Sequence, residues 1–153
     1  MTCAWHSRTM TDDSEITLPG LWLTLRARDA RGLIRFLGEA FGFEESVVYD
    51  DGDRVAHAEL LWPHGGGVML GSAGPSADGS RGEDDPWALR PGSGGAYLVT
   101  DLPDELFERA TAAGATVILQ PYDTDHSSRE FAVRDPEGNR WSFGTYRGHP
   151  RPR

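Results

Sequence analysis

The chain has 153 residues, 38% of them hydrophobic and 25% charged, with a formal net charge of −9. That length suits one domain with a sizeable core, and no apolar run approaches the about 18 residues of a membrane-spanning helix. The negative balance repels polyanions, which removes nucleic acid from the expected ligands.

Residues 1–17 contain no continuous apolar stretch of signal-peptide length and end in the polar run from Thr11 to Glu15, so a disordered leader and a cytoplasmic protein are expected. The single cysteine, Cys3, lies in that leader, where it has no partner for an internal disulfide and no ordered base to activate it. From Leu21 the segment LWLTLRA reads as a strand, and Asp29 as the N-cap of a helix with Leu33, Leu37, Ala40 and Phe41 on one face, stopped by Gly42. EESVVYD, the turn DDGD, RVAHAELLW, the turn PHGGG and VMLG follow as three further strands and their connections.

A Ser/Gly/Asp/Pro-rich connection over residues 72–93 leads to a second set in the same order. GAYLVTD is a strand. Pro103 opens a helix whose apolar face is Leu106, Phe107, Ala110 and Ala113, and Gly114 ends it. TVILQPY, REFAVR and RWSFGTY complete the strands. Gly42 and Gly114, Trp22 and Gly95, and Met69 and Ser142 take corresponding places about 72 residues apart, so the chain reads as a tandem repeat of two βαβββ units. Each unit's sheet covers one face with its helix and curls the other around a cavity. The expected class is α+β, a single domain over residues 18–148. Its first module spans about 21–72, the connection 73–93 and the second module about 94–146, with a tail at 149–153.

This arrangement, together with RDPEGNRW, EAFGF and ERATAAGA, resembles the vicinal oxygen chelate superfamily of glyoxalases, extradiol dioxygenases and bleomycin-resistance proteins, over Leu21 to Tyr146. By itself DPEG marks only a good turn. The resemblance implies a divalent metal held by one His, Gln or Glu from each of four equivalent strand positions. Those positions carry Trp22, Met69, Gly95 and Ser142 in this chain, and none is a competent ligand for a hard cation. Ser142 stands where the metal-using members keep a carboxylate. The expectation is therefore a protein without metal or other cofactor.

Alternation places Ser142, Gly144 and Tyr146 toward the cavity and Trp141 and Phe143 in the core; likewise Trp22, Thr24 and Arg26 face the cavity, Leu23 and Leu25 the core. His57 and Glu59, two apart on one strand, share a face, with Ala56 and Ala58 turned beneath a helix. They are two donors, fewer than a stable metal site needs, and are read as pocket hydrogen-bonding groups or as a general base. His64 and His126 fall in turns. Ser127 and Ser128 follow His126 directly, without the oriented geometry of a nucleophile and its base.

The expected pocket comprises Trp22, Thr24, Arg26, His57, Glu59, Met69, Trp87, Tyr97, Phe131, Ser142 and Tyr146. Its aromatic side chains point to a flat or aromatic small molecule, sequestered as the bleomycin-resistance branch implies in antibiotic resistance. The alternative is a lyase, isomerase or dioxygenase of the same superfamily with a non-standard or metal-free site. A homodimer is expected because curled sheets leave open edges, and Trp87 is the candidate lid over ligand or partner.

Overall fold

The computed structural model describes residues 18–76, 78 and 88–153. The expected leader and the Trp87 lid lie outside the described residues. The first module contains β1 (Trp22–Ala27), α1 (Ala30–Phe36), β2 (Glu44–Asp51), β3 (Arg54–Leu61) and β4 (Gly67–Ser72). The second contains β5 (Gly95–Val99), α2 (Pro103–Ala112), β6 (Thr116–Asp123), β7 (Arg129–Arg134) and β8 (Arg140–Gly144). Both sheets have one topology, in the orders β1-β4-β3-β2 and β5-β8-β7-β6, with the first pair of each parallel. The repeat is visible in the register: Thr24 pairs with Met69 and Tyr97 with Ser142, each member of the second pair 73 residues after its counterpart.

Local signals explain the helix limits. The Asp29 carboxylate accepts the Gly32 N–H at 3.0 Å, satisfying one of the free donors at the start of α1. The helix widens into a π-helical turn over Leu37–Phe41 and stops at Gly42, whose φ of 87° needs no β-carbon. The Phe43 N–H then reaches back to the Leu37 carbonyl, and both of these apolar side chains are buried. In α2, Pro103 takes the first turn with Asp104 and Glu105, and Gly114 at φ 100° follows the last.

One core joins the modules. The Phe41 ring lies 4.7 Å from Phe143 and 5.5 Å from Trp141 between centroids, and Trp62 lies 5.8 Å from Phe143. Each fully buried ring of this size contributes about 1.5–3 kcal/mol, so the aromatic junction holds the halves together. Polar ties reinforce it. The Arg109 guanidinium of α2 donates to the carbonyls of Glu39 (2.8 Å) and Gly38 (3.0 Å), at the C-terminal end of the first helical segment, where a positive charge is favoured. The Trp62 indole N–H donates to the Val99 carbonyl at 3.2 Å.

Strand alternation places the side chains of the first and last strands, β1 and β8, as expected, but not those of β3. Val55 and Ala58 are both buried while Ala56 is exposed, because the register with β2 slips between Tyr49 and Asp50. A bulge of this kind adds one residue and reverses the faces beyond it, so Ala58 packs inward and Ala56 does not. No helix of the described residues is long and apolar enough to cross a membrane.

Candidate functional site

The faces of both sheets that turn away from the joined core carry the candidate residues. In the first module, the Trp22 indole lies across Gly67, where a β-carbon would stand 2.5 Å from the ring. Arg26 lies in the same way across Gly71. Thr24, Met69, Glu59 and Val47 form one row across the four strands. Beside it, the His57 Nε2–H donates to the Glu59 carboxylate at 2.8 Å, and the Tyr49 ring stacks on the imidazole with centroids 6.4 Å apart. Trp22, Thr24, Arg26, His57, Glu59 and Met69 therefore share one face, as expected.

The second module presents a hollow of about 400 Å³. Its central row is Tyr97, Ser142, Ala132 and Leu119; the next row is Val99, Gly144, Glu130 and Tyr122. The Tyr97 hydroxyl donates to the Tyr146 carbonyl at 2.9 Å, and the Tyr146 N–H donates to the Ser128 hydroxyl at 3.1 Å. Burial raises the Tyr97 phenol pKa above its ordinary value, and the nearby Glu130 carboxylate pushes in the same direction. Gly144 makes this crowding possible, since a β-carbon there would lie 2.5 Å from the Tyr97 hydroxyl and 2.6 Å from Glu130 Cγ.

Phe131 meets the expectation only in part: it is among the residues lining the hollow, but its ring does not face it. It pairs directly with Phe143, stacks on it at 5.1 Å and is 1% exposed, so its ring belongs to the core. Strand parity overrides its aromatic character: the cavity-facing residues of β7 are its neighbours Glu130 and Ala132. Sequence reasoning passed over Glu130, Leu119 and Tyr122. The signal that finds them is the register of β6 and β7 against Ser142.

The RDPEGNRW segment joins β7 to β8 as expected, and both of its carboxylates are occupied by N–H groups of the protein. Asp135, 4% exposed, accepts the N–H groups of Glu137 (2.9 Å), Gly138 (2.9 Å) and Asn139 (3.0 Å) through one oxygen. Its other oxygen accepts the Asn139 amide and the Trp141 indole, both at 2.8 Å. Glu137 reaches the other module and accepts the backbone N–H groups of Arg28 (2.6 Å) and Asp29 (3.1 Å).

The four metal positions do not fit a divalent cation. Trp22, Met69, Gly95 and Ser142 offer an indole, a thioether, no side chain and a neutral hydroxyl; their neighbours across the strands add the hydroxyl of Thr24, the phenol of Tyr97 and one carboxylate, Glu59, too few donors for a stable site. Among the described residues no group of three or more His, Cys, Asp or Glu is placed to hold a metal ion.

Residues 21–143 match the Glyoxalase/Bleomycin resistance protein/Dioxygenase superfamily. The chain belongs to that superfamily. No curated protein matches it in sequence. Among solved structures, this superfamily member is similar to TioX from Micromonospora sp. ML1, at 26% identity over 81% of this chain and 95% of that one, with a TM-score of 0.62. An integron cassette protein from V. cholerae is 21% identical over 86% of this chain and 98% of its own, at a TM-score of 0.61. A glyoxalase I variant from Zea mays shares the fold at 19% identity, over 84% of this chain and 45% of the maize chain, at a TM-score of 0.63.

Proposed function

We propose that this superfamily member binds a small flat aromatic compound and sequesters it without a metal, in the manner of the bleomycin-resistance branch. The observation that carries the reading is the side-chain set of the two open sheet faces: Trp22 and Tyr49 on the first, Tyr97 and Tyr122 on the second, around positions that lack metal donors. Half-exposed rings on a rigid sheet bury a flat ligand at little cost in conformational entropy. A homodimer in the cytoplasm is part of the proposal. Tyr49 is 59% exposed and Tyr97 42%, and a second copy laid over these faces would enclose each as a pocket. Titration of tryptophan fluorescence with aromatic compounds, in chelator, tests the binding; saturable quenching is expected, and no response to any flat aromatic would refute it. Light scattering at tens of micromolar tests the dimer, which a monomer mass would remove.

The second reading is a metal-free enzyme with His57 as general base. It rests on the imidazole–carboxylate pair at 2.8 Å, since a carboxylate holding one ring nitrogen fixes the tautomer and leaves the other nitrogen as acceptor. Turnover of a bound compound that disappears in His57→Gln, with the metal content at zero, would favour it over sequestration.

A further inference from the structure

The second sheet's hollow combines a withdrawn carboxylate with aromatic rings. The Glu130 side chain is 18% exposed, and His126 Nε2 lies 3.6 Å from its carboxylate, on the turn before β7. A carboxylate drawn this far from water gains from a counter-charge. Tyr122 is its cross-strand neighbour on the same face, and the Tyr97 hydroxyl and Glu130 meet over Gly144. The His126 and Tyr146 rings stand edge to face at 5.3 Å beside them. A carboxylate flanked by tyrosine side chains is the chemistry that selects an organic cation over a neutral molecule of the same shape. Positive charge is disfavoured at the far end. The Arg140 side chain, also lining the hollow, makes no hydrogen bond or ion pair among the described residues, and it stands four positions before Gly144 on β8, about 13 Å away along the strand.

We propose that this hollow recognises a flat aromatic cation, with its positive end seated at Glu130 between Tyr97 and Tyr122 and its rings lying over Ala132 and Ser142 toward Leu119. The proposal deepens the binding function above and rests on it, naming the ligand's charge, its orientation and the module that reads it.

The full chain would be titrated with N-methylquinolinium and with 1-methylnaphthalene, which have the same shape and differ in charge, while the Ala132 and Met69 methyl resonances are followed. Binding of the cation about tenfold tighter than the hydrocarbon, with Ala132 shifting first, is the expected result. In Glu130→Gln that preference should vanish while the hydrocarbon affinity holds. Equal affinities for the two probes would overturn the cation site and leave aromatic binding intact. A preference that survives Glu130→Gln, or that moves Met69 and spares Ala132, would likewise overturn it. Silence from both probes would bring down the binding function together with this inference.

Discussion

The two modules share strand order and register, yet fasten their last hairpins by different means. In the first, the turn between β3 and β4 is built from glycine: Gly65 and Gly66 take φ of 110° and 80°, and the hydrogen bonds are backbone to backbone. In the second, a buried carboxylate gathers five N–H donors around Asp135. Their open faces differ as well. His57 and Glu59 satisfy one another on the first sheet, whereas Glu130 and Arg140 stand apart on the second. A duplicated backbone thus fixes where side chains point, while residue choice decides whether a position serves the turn, its neighbour or a ligand.

The largest asymmetry should lie in the turns. Asp135→Ala orphans several donors at once and is expected to cost about 3–5 kcal/mol, whereas His64→Ala, in the exposed turn of the first module, should stay within about 0.5 kcal/mol. Urea denaturation of both variants measures the gap, and equal losses would erase the contrast. A smaller effect separates two strand glycines. A β-carbon at Gly67 meets the Trp22 ring at 2.5 Å and the Leu60 carbonyl at 2.7 Å, while at Gly95 the nearest atom is 3.8 Å away. Gly67→Ala should therefore cost about 1–3 kcal/mol and alter tryptophan emission, with Gly95→Ala almost silent. Similar losses at the two sites would show that the Trp22 shelf is dispensable.

The smallest effect is in pH. Tyr97 has a raised phenol pKa, caused first by burial, and its equivalent in the first module, Thr24, does not titrate. The folded state holds that proton more tightly than the unfolded chain. Its contribution to stability is present below the ordinary phenol value and is lost as pH rises through the folded one. In a phenolate absorbance titration, Tyr97→Phe should delete a late-titrating tyrosine and lessen the alkaline loss of stability. Deletion of the earliest phenol instead would contradict the assignment.

Most of the architecture was legible because its signals are local. Asp29, Pro103, Gly42 and Gly114 mark helix ends through their own backbone chemistry, and alternation assigned Trp22, Thr24, Ser142 and Trp141 to the correct faces. What escaped depends on pairing between distant strands. The exposure of Ala56 follows from a bulge fixed by β2, and the burial of Phe131 from its partner Phe143. Glu130 becomes a candidate only once the register sets it beside Gly144 and Tyr122. In Asp135 and Glu137 the sequence displays acidic residues in a motif, but not that backbone N–H groups occupy them.

The Glu137 bridge opposes the order of synthesis to the order of fastening. Arg28 and Asp29 lie near the start of the first module, and the carboxylate that receives their N–H groups is encoded 109 and 108 residues later. Each contact closes a loop spanning almost the whole domain, the class of contact that slows folding because the chain must lose its entropy before the bond returns anything. On the ribosome the segment of the first helix is synthesised long before its anchor emerges, and the amides of Arg28 and Asp29 must rely on water in the interval.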